Sequence, residues 1–218
     1  MGSVSPRRSE AILSKLILIR HAESLWNKEN RFTGDIDVGL SLTGVFQALS
    51  VADQLPEFSV VFTSSLFRCK MTAALLLAMK KKLFSFSSHS TEGIDIAIIQ
   101  DKRIDERDYG ELKGKNKQET QDIYGKEQFL KWRRGYKDRP PGGESLFDVE
   151  IRVKDFLEKT LKPKLAQGED VLIVAHGNSL RAMVKILDHI SDEEVVHLEI
   201  PLMTPRIYEI KNGAFVKI

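Results

Sequence analysis

The sequence predicts an α/β fold, a three-layer α/β/α sandwich with a mainly parallel central sheet. Two apolar runs, Leu16–Ile19 and Val171–Ala175, have the length and branched side chains of buried strands. Strand-like runs alternate with helical patterns along the chain, which is typical of layered α/β proteins. A chain of 218 residues suits one domain. We therefore expect a single domain over residues 1–218, with residues 1–12 as a flexible extension.

The elements of the first half follow from helical spacing and from residues that interrupt it. Ser41 is placed to cap a helix that ends before Pro56. A short strand is predicted over residues 60–63 and a strongly apolar helix over about 67–79. Residues 94–99 are a further strand candidate.

The middle of the chain begins with a charged, glycine-containing stretch over residues 103–117, which indicates a loop. Helical spacing resumes over about 118–132. Ser145 and Asp148 form a plausible capping box for a helix whose apolar residues face inward.

The last part of the chain begins at the second apolar strand. A helix is predicted to start near Asn178. Residues 206–210 and 214–218 are predicted to form a hairpin around Asn212-Gly213, because Asn-Gly favours the tight turns of hairpins.

The composition excludes several classes of protein. The net charge is only +2, so there is no bulk basicity to indicate a nucleic-acid partner. The single cysteine, Cys69, excludes an internal disulfide and a metal site of several cysteines. No apolar run approaches the ~18 residues that span a bilayer. We expect a cytoplasmic protein without membrane or nucleic-acid partners.

The candidate active site lies where the two apolar strands end. Arg20 and His21 follow the first strand and His176 follows the second. The carboxyl ends of parallel strands share one sheet edge, where open α/β sheets bind their ligands. The zinc-deaminase signature, the G-x-S-x-G elbow and a phosphate-binding glycine loop are not found in the sequence. The remaining chemistry is histidine acting as a nucleophile toward phosphorus, with arginines stabilising the phosphoryl oxygens.

Several motifs carry a resemblance to a known family. They are Arg20-His21-Ala22-Glu23, residues 24–34, Glu106-Arg107-Asp108-Tyr109-Gly110, residues 114–117, Trp132-Arg133-Arg134, residues 140–145 and residues 175–182. The first resembles the R-H-G-E signature of the histidine phosphatase superfamily. Together, in order from about residue 16 to 210, they resemble the phosphoglycerate mutases that depend on 2,3-bisphosphoglycerate.

The resemblance implies a catalytic set. His21 is expected to carry the phosphoryl group as a phosphohistidine, and Arg20, Arg68 and His176 are expected to grip that group. Glu106 is expected to exchange a proton with the substrate hydroxyl, a role that suits a carboxyl group.

The resemblance also implies a substrate-binding set that overlaps the catalytic one. It comprises Arg20, Ser24, Asn27, Thr33, Gly34, Arg68, Glu106, Arg107, Tyr109, Lys117, Arg133, Arg134, Gly177 and Asn178. The expected activity is the interconversion of 3-phosphoglycerate and 2-phosphoglycerate in glycolysis and gluconeogenesis, primed by 2,3-bisphosphoglycerate and without a metal. A monomer or a homodimer is expected.

Three other hypotheses remain open. The first is a phosphatase of the same superfamily, or a bisphosphoglycerate mutase or phosphatase. The second is a phospho-ligand binder that has lost turnover, and the third is a nucleic-acid module built on Trp132, Arg133 and Arg134. Two positions also depart from the family pattern. Ala22 replaces the signature glycine, which would cost roughly 1 kcal/mol if φ were positive there, and Asp35 stands where many relatives have tryptophan.

Overall fold

The computed structural model describes residues 14–80, 96, 98–211 and 213–218. The flexible extension expected at residues 1–12 lies outside the described residues. The strands described are β1 (Lys15–Arg20), β2 (Val60–Thr63), β3 (Ile98–Gln100), β4 (Val171–Ala175), β5 (Arg206–Lys211) and β6 (Ala214–Lys217). They form a sheet in the order β3-β2-β4-β1-β5-β6. β1 to β4 run parallel, whereas β5 is antiparallel to β1 and to β6, so the mainly parallel sheet is confirmed.

Helices cover both faces of this sheet. Those described are α1 (Leu25–Lys28), α2 (Leu42–Val51), α3 (Phe67–Lys80), α4 (Lys117–Tyr124), α5 (Lys126–Arg134), α6 (Leu146–Phe156), α7 (Lys162–Ala166) and α8 (Gly177–Leu187). A π-helical turn over Leu157–Leu161 joins α6 to α7. Helices α2 and α3 contribute to the core on one face of the sheet, and α6 and α8 to the core on the other. The predicted three-layer arrangement is therefore confirmed.

The apolar run of β1 supplies both cores, because successive side chains of a strand point to opposite faces. Leu16 and Leu18 belong to the core under α6 and α8, and Ile17 and Ile19 belong to the core under α2 and α3. Each fully buried aliphatic side chain of this kind contributes about 1.5–3 kcal/mol relative to exposure. The burial explains why the strand is apolar at every position rather than at alternate ones.

The register of β1 and β4 places the two histidines side by side. Arg20 is paired with Ala175, the last residue of β4. The backbone N–H of His21 donates to the carbonyl oxygen of Ala175 over 3.0 Å. His21 and His176 therefore leave the same edge of the sheet from adjacent strands.

The predicted helix over residues 118–132 is wrong as one element. Gly125, with φ of +79°, ends α4 and caps the start of α5. A left-handed residue interrupts a right-handed helix, and glycine adopts that conformation at little cost. The helix caps at Ser41 and Ser145 are confirmed, the second with a capping box to Asp148.

One strand candidate is described only in part, and the predicted hairpin is confirmed. Of the described residues of the strand candidate 94–99, Ile98 and Ile99 belong to β3, which continues to Gln100, and Ile96 does not; residues 94, 95 and 97 lie outside the described residues. The hairpin of β5 and β6 forms as predicted, although Asn212 of its turn lies outside the described residues. In the part of the chain that is described, no helix has the length and apolar character to cross a bilayer.

Candidate active site

His21 and His176 meet at the centre of the candidate site. Their ring centroids are 5.0 Å apart, with an interplanar angle of 62°. Both residues are buried, at 2% and 0% exposure. Two strand ends that are held in register by backbone hydrogen bonds therefore deliver both imidazoles to one place.

The surroundings of His21 determine its tautomer and its charge. Its Nδ1 lies 2.7 Å from the carbonyl oxygen of Ala22. A carbonyl can only accept, so Nδ1 carries the hydrogen and Nε2 keeps its lone pair. Burial, and then the neighbouring charges of Arg68 and Arg20, hold the pKa of His21 well below its usual value. His21 is therefore a neutral imidazole at neutral pH.

His176 has both ring nitrogens bound to protein groups. Arg68 donates through Nε to Nδ1 over 3.2 Å, so the hydrogen of the ring is on Nε2. That Nε2 donates to Ser64 Oγ over 2.7 Å. Burial, followed by the charge of Arg68, holds the pKa of His176 well below its usual value. His176 is thus a neutral ring that orients Arg68.

Arg68 links helix α3 to the loop after α1. Its Nη1 donates to the carbonyl oxygen of Ile36 over 2.9 Å, and its Nη2 donates to that of Gly34 over 2.8 Å. Arg68 is 1% exposed. Its guanidinium is consequently fixed on three sides, beside the ring of His21.

The hollow in front of His21 has two ends. The His21 end is lined by Arg20, His21, Asn27, Arg31, Phe32, Thr33, Gly34, Arg68, Glu106, Tyr109 and Lys117. The distal end is lined by Arg20, Glu106, Tyr109, Lys117, Arg133, Arg134, Gly177, Asn178, Arg181, Glu199 and Ile200. Arg20, Glu106, Tyr109 and Lys117 line both ends, so the two are neighbouring parts of one cleft.

Cations dominate the walls of this hollow. Arg20 uses Nη1 to bind the carbonyl oxygen of Ile200, while its buried Nε has no hydrogen-bond partner among the described residues. Burial lowers the pKa of Lys117 and the pKa of Arg133. Arg134 forms an ion pair with Glu199. The hollow is therefore suited to a small ligand that carries several negative charges.

Glu106 is held by one of its two carboxylate oxygens. Its Oε1 accepts from the backbone N–H of Arg107 at 2.8 Å and from the backbone N–H and the side-chain Nδ2 of Asn178 at 3.1 and 3.0 Å. Asn178 Nδ2 also donates to Tyr109 Oη over 3.1 Å. Since Oε1 is fully engaged, Oε2 is the oxygen that is free to act on a ligand.

Three predicted residues lie behind the walls of the hollow. His176 lies behind Arg68, and Ser24 caps α1 while its hydroxyl contacts Asn27 Oδ1 at 3.0 Å. Arg107 donates from Nη2 to the carbonyl oxygens of Trp132 and Arg133, at 2.6 and 3.2 Å. The other predicted residues all line the hollow.

Several residues that line or support the hollow were not in the predicted set, among them Arg31, Phe32 and Ile200, which line it. Ser64 follows β2 at the same sheet edge as His21, which is a signal that could have found it. Arg181 donates through Nη1 to Asn178 Oδ1 over 3.1 Å, one helical turn away. Thr72 Oγ1 accepts from the backbone N–H of Ala22 over 3.1 Å. Glu199 had no local signal.

The two departures from the family pattern are accommodated. Ala22 is fully buried and is not among the described non-glycine residues with positive φ. Its Cβ therefore causes no left-handed strain beside His21. Asp35 forms an ion pair with Lys113 at 2.9 Å.

Among the residues described, no group of three or more His, Cys, Asp or Glu side chains could hold a metal ion.

Comparison with known proteins gives one family. Residues 16–217 match the model of the histidine phosphatase superfamily, branch 1. The chain is 42% identical to a protein of Arabidopsis thaliana named 2,3-bisphosphoglycerate-dependent phosphoglycerate mutase 1, over 93% of this chain and 66% of that protein. It is 39% identical to the 2,3-bisphosphoglycerate-dependent phosphoglycerate mutase of Chlamydia muridarum, over 94% of this chain and 97% of the relative. The chain thus spans about two thirds of the plant relative and nearly all of the bacterial one.

Solved structures share the fold. Bacillus stearothermophilus YhfR superposes with a TM-score of 0.78 at 25% identity, covering 94% of this chain and 95% of that one. A mycobacterial glucosyl-3-phosphoglycerate phosphatase superposes with a TM-score of 0.76 at 23% identity, covering 94% and 97%.

Proposed function

The chain belongs to the histidine phosphatase superfamily, and on that premise we propose that it is a 2,3-bisphosphoglycerate-dependent phosphoglycerate mutase. It interconverts 3-phosphoglycerate and 2-phosphoglycerate through a phosphohistidine at His21. The observation that carries this proposal is the state of His21: a neutral ring with Nδ1 bound to Ala22 and Nε2 free, between two arginines. Relatives at 39–42% identity bear the name of this activity.

The first step is the transfer of a phosphoryl group to His21. The lone pair of Nε2 forms a bond to phosphorus while the P–O ester bond of the donor breaks. Negative charge spreads over the equatorial oxygens, where the fixed guanidiniums of Arg20 and Arg68 stabilise it. His176 acts indirectly, by holding Arg68 in position beside the group. The Nδ1–H bond to Ala22 stabilises the charge that develops on the ring.

Glu106 acts as the general acid and base of this reaction. Its Oε2 gives a proton to the ester oxygen that leaves, and takes a proton from the hydroxyl group that attacks in the reverse transfer. Asn178 and the backbone of Arg107 hold Oε1, so the free oxygen stays directed at the hollow. The proton is therefore exchanged with the substrate rather than with solvent.

The distal end binds the groups of the substrate that do not react. Lys117, Arg133 and Arg134 take its carboxylate and its remaining phosphate, and the amide of Asn178 orients it. Asn27, Thr33 and Gly34 line the His21 end around the transferring group. Arg107 and Ser24 act indirectly, by supporting the α5 terminus and Asn27. Isomerisation requires the bisphosphate to turn around between two such ends.

The described residues fit the priming cofactor implied by the family. The unpartnered Nε of Arg20 and the cations at both ends suit a ligand with two phosphates and a carboxylate. When bound, 2,3-bisphosphoglycerate supplies the phosphoryl group that His21 carries. The partners are then small molecules, 2- and 3-phosphoglycerate, and we place the enzyme in cytoplasmic glycolysis and gluconeogenesis as a monomer or homodimer.

Incubation with 2,3-bisphosphoglycerate followed by mass spectrometry tests the proposal. We expect one acid-labile phosphate on His21, and a coupled assay that shows isomerisation dependent on the bisphosphate. Release of inorganic phosphate without isomerisation would instead identify a phosphatase of the same superfamily. Absence of phosphate on His21 would identify a binder without turnover.

A further inference from the structure

Glu199 places a negative charge at the distal end of a hollow whose walls are mainly cationic. Its carboxylate lines the distal end and forms an ion pair with Nη2 of Arg134. The side chain of Glu199 is 67% exposed, whereas that of Arg134 is 22% exposed. Glu199 can therefore move into solvent, while Arg134 stays in the wall.

The backbone around Glu199 is attached to the active-site strand. The carbonyl oxygen of Ile200 accepts from Arg20 Nη1 at 3.0 Å, and the backbone N–H of Met203 donates to the carbonyl oxygen of Arg20 at 3.2 Å. Met203 has a φ of +52°, a conformation that L-residues rarely adopt, and it is buried. These contacts hold the segment over residues 199–203 against the hollow, so Glu199 is positioned at its rim.

Glu199 differs from the other carboxylate of the hollow. Glu106 has Oε1 bound by three N–H donors that position it for chemistry, whereas Glu199 binds a cation that the proposed function assigns to the substrate. An anionic group that binds Nη2 of Arg134 must displace the Glu199 carboxylate. After displacement, the negative charge of Glu199 remains close to the ligand.

We propose that Glu199 is a specificity-determining residue, an internal counterion that occupies Arg134 in the free protein and selects among anionic ligands by their charge. The proposal rests on the proposed function for the role of Arg134. Each additional negative charge on the ligand adds repulsion from Glu199, so highly charged ligands are disfavoured relative to less charged ones. The residue thereby weakens retention of a bisphosphate more than that of a monophosphate.

Replacing Glu199 by glutamine tests this selection, because the side chain keeps its size and loses its charge. Binding of inorganic phosphate, 3-phosphoglycerate and 2,3-bisphosphoglycerate is measured by calorimetry in a His21→Ala background, which prevents covalent transfer. We expect Glu199→Gln to tighten binding of 3-phosphoglycerate by about two- to fivefold, the range of an exposed ion pair. The gain should be larger for the bisphosphate and smaller for inorganic phosphate.

Glu193→Gln is the matched control, because Glu193 is an exposed glutamate shortly before this segment in the sequence and does not line the hollow. It should leave all three affinities unchanged, and Glu199→Asp, which keeps the charge, should behave much like the parent. An equal gain for every ligand, or none, would overturn the proposal. Since binding needs no turnover, a failure of the mutase assay alone would refute the proposed function without affecting this result.

Discussion

Arg68 donates from Nε to Nδ1 of His176 over 3.2 Å, and by doing so it fixes the tautomer of that histidine. The same guanidinium binds the carbonyl oxygens of Gly34 and Ile36. One buried cation therefore connects three segments of the chain that are far apart in sequence. Its fork geometry is what makes these simultaneous contacts possible.

Replacing Arg68 by lysine should therefore reduce both stability and phosphorylation, although the positive charge is kept. An ammonium group cannot reach all three acceptors, and each buried acceptor left without a donor costs about 1–3 kcal/mol. We expect a lower free energy of unfolding in urea and a loss of His21 phosphorylation. Arg139→Lys is the control, since Arg139 binds Asp148 at the surface with 62% of its side chain exposed. A phosphorylation rate unchanged in Arg68→Lys would contradict the role of the guanidinium.

The buried histidines predict how stability depends on pH. Their pKa values in the folded protein lie below the unfolded value of about 6.5. Below pH 6.5 the unfolded chain binds protons that the folded chain does not, so the free energy of unfolding should fall as the pH is lowered from about 6.5. The slope is about 1.4 kcal/mol per pH unit for each such histidine, down to its folded pKa.

Urea titrations between pH 5 and pH 8 measure this slope. His21→Gln should reduce it, because glutamine does not titrate. His197→Gln should not, because His197 is exposed in a short 3-10 helix. Equal slopes in all three proteins would mean that His21 is not held neutral by the fold.

Glu106→Gln should separate proton exchange from phosphoryl transfer. The amide oxygen of glutamine can replace Oε1 as acceptor for Asn178 and Arg107, so the pocket should keep its shape. The missing proton exchange should reduce turnover by about 10²- to 10⁴-fold. Phosphorylation of His21 by 2,3-bisphosphoglycerate, followed by rapid quench, should lose less than turnover does, because it needs only the proton given to the leaving oxygen, whereas turnover also needs the proton taken from the attacking hydroxyl group.

Glu111→Gln is the control for that experiment, because Glu111 is exposed and does not line the hollow. If Glu106→Gln lost phosphorylation and turnover to the same degree, Glu106 would have a different role. The comparison thus tests the proton assignment and not the importance of the residue alone.

Gly125→Ala should destabilise the protein without steric conflict. Gly125 has a φ of +79°, and a Cβ there would meet no heavy atom within 4 Å. The cost is therefore conformational, about 1 kcal/mol. Gly39→Ala is the control, because its φ lies outside the left-handed region and its Cβ would make only ordinary contact with Phe67 at 3.9 Å. Chemical denaturation measures the free energy of unfolding of both variants. An equal loss in Gly125→Ala and Gly39→Ala would remove the conformational explanation for the break between α4 and α5.

The sequence predicts those parts of the site that depend on local pattern. His21 and His176 follow apolar runs, and the shared edge of parallel strands brings them together. Gly125 was misjudged because the apolar spacing on both sides continues a helical pattern across it. The predicted strand candidate 94–99 is a strand at Ile98 and Ile99, which pair with β2, whereas its residues 94, 95 and 97 lie outside the described residues.

Contacts between distant segments could not be predicted in the same way. The tautomer of His176 depends on Arg68 and Ser64, which lie 108 and 112 residues away. Glu199 reaches Arg134 across 65 residues. Arg107 looks equivalent to Arg133 in sequence, yet it is buried behind Tyr109, with its Cζ 4.4 Å from the ring centroid. Such placements are determined by packing rather than by periodicity.

Arg181 should act on catalysis through Asn178. Its Nη1 binds Asn178 Oδ1, which directs the Nδ2 of that amide toward Glu106 and Tyr109. Arg181→Met removes this constraint, so the amide is held only by the bonds of Nδ2 and can rotate out of line with Glu106. We expect a loss in kcat/KM from Arg181→Met, and little further loss when it is added to Asn178→Leu.

A double-mutant cycle in kcat/KM measures this coupling directly. Arg181 also binds the carbonyl oxygens of Arg134 and Val195, so some loss of stability is expected in either background. Stability loss alone would give additive effects on kcat/KM, whereas positioning through Asn178 gives strong non-additivity. Lys185→Met, one turn farther along α8 and outside the hollow, should combine additively with Asn178→Leu. Additivity for Arg181 as well would show that it supports the fold and does not orient the amide.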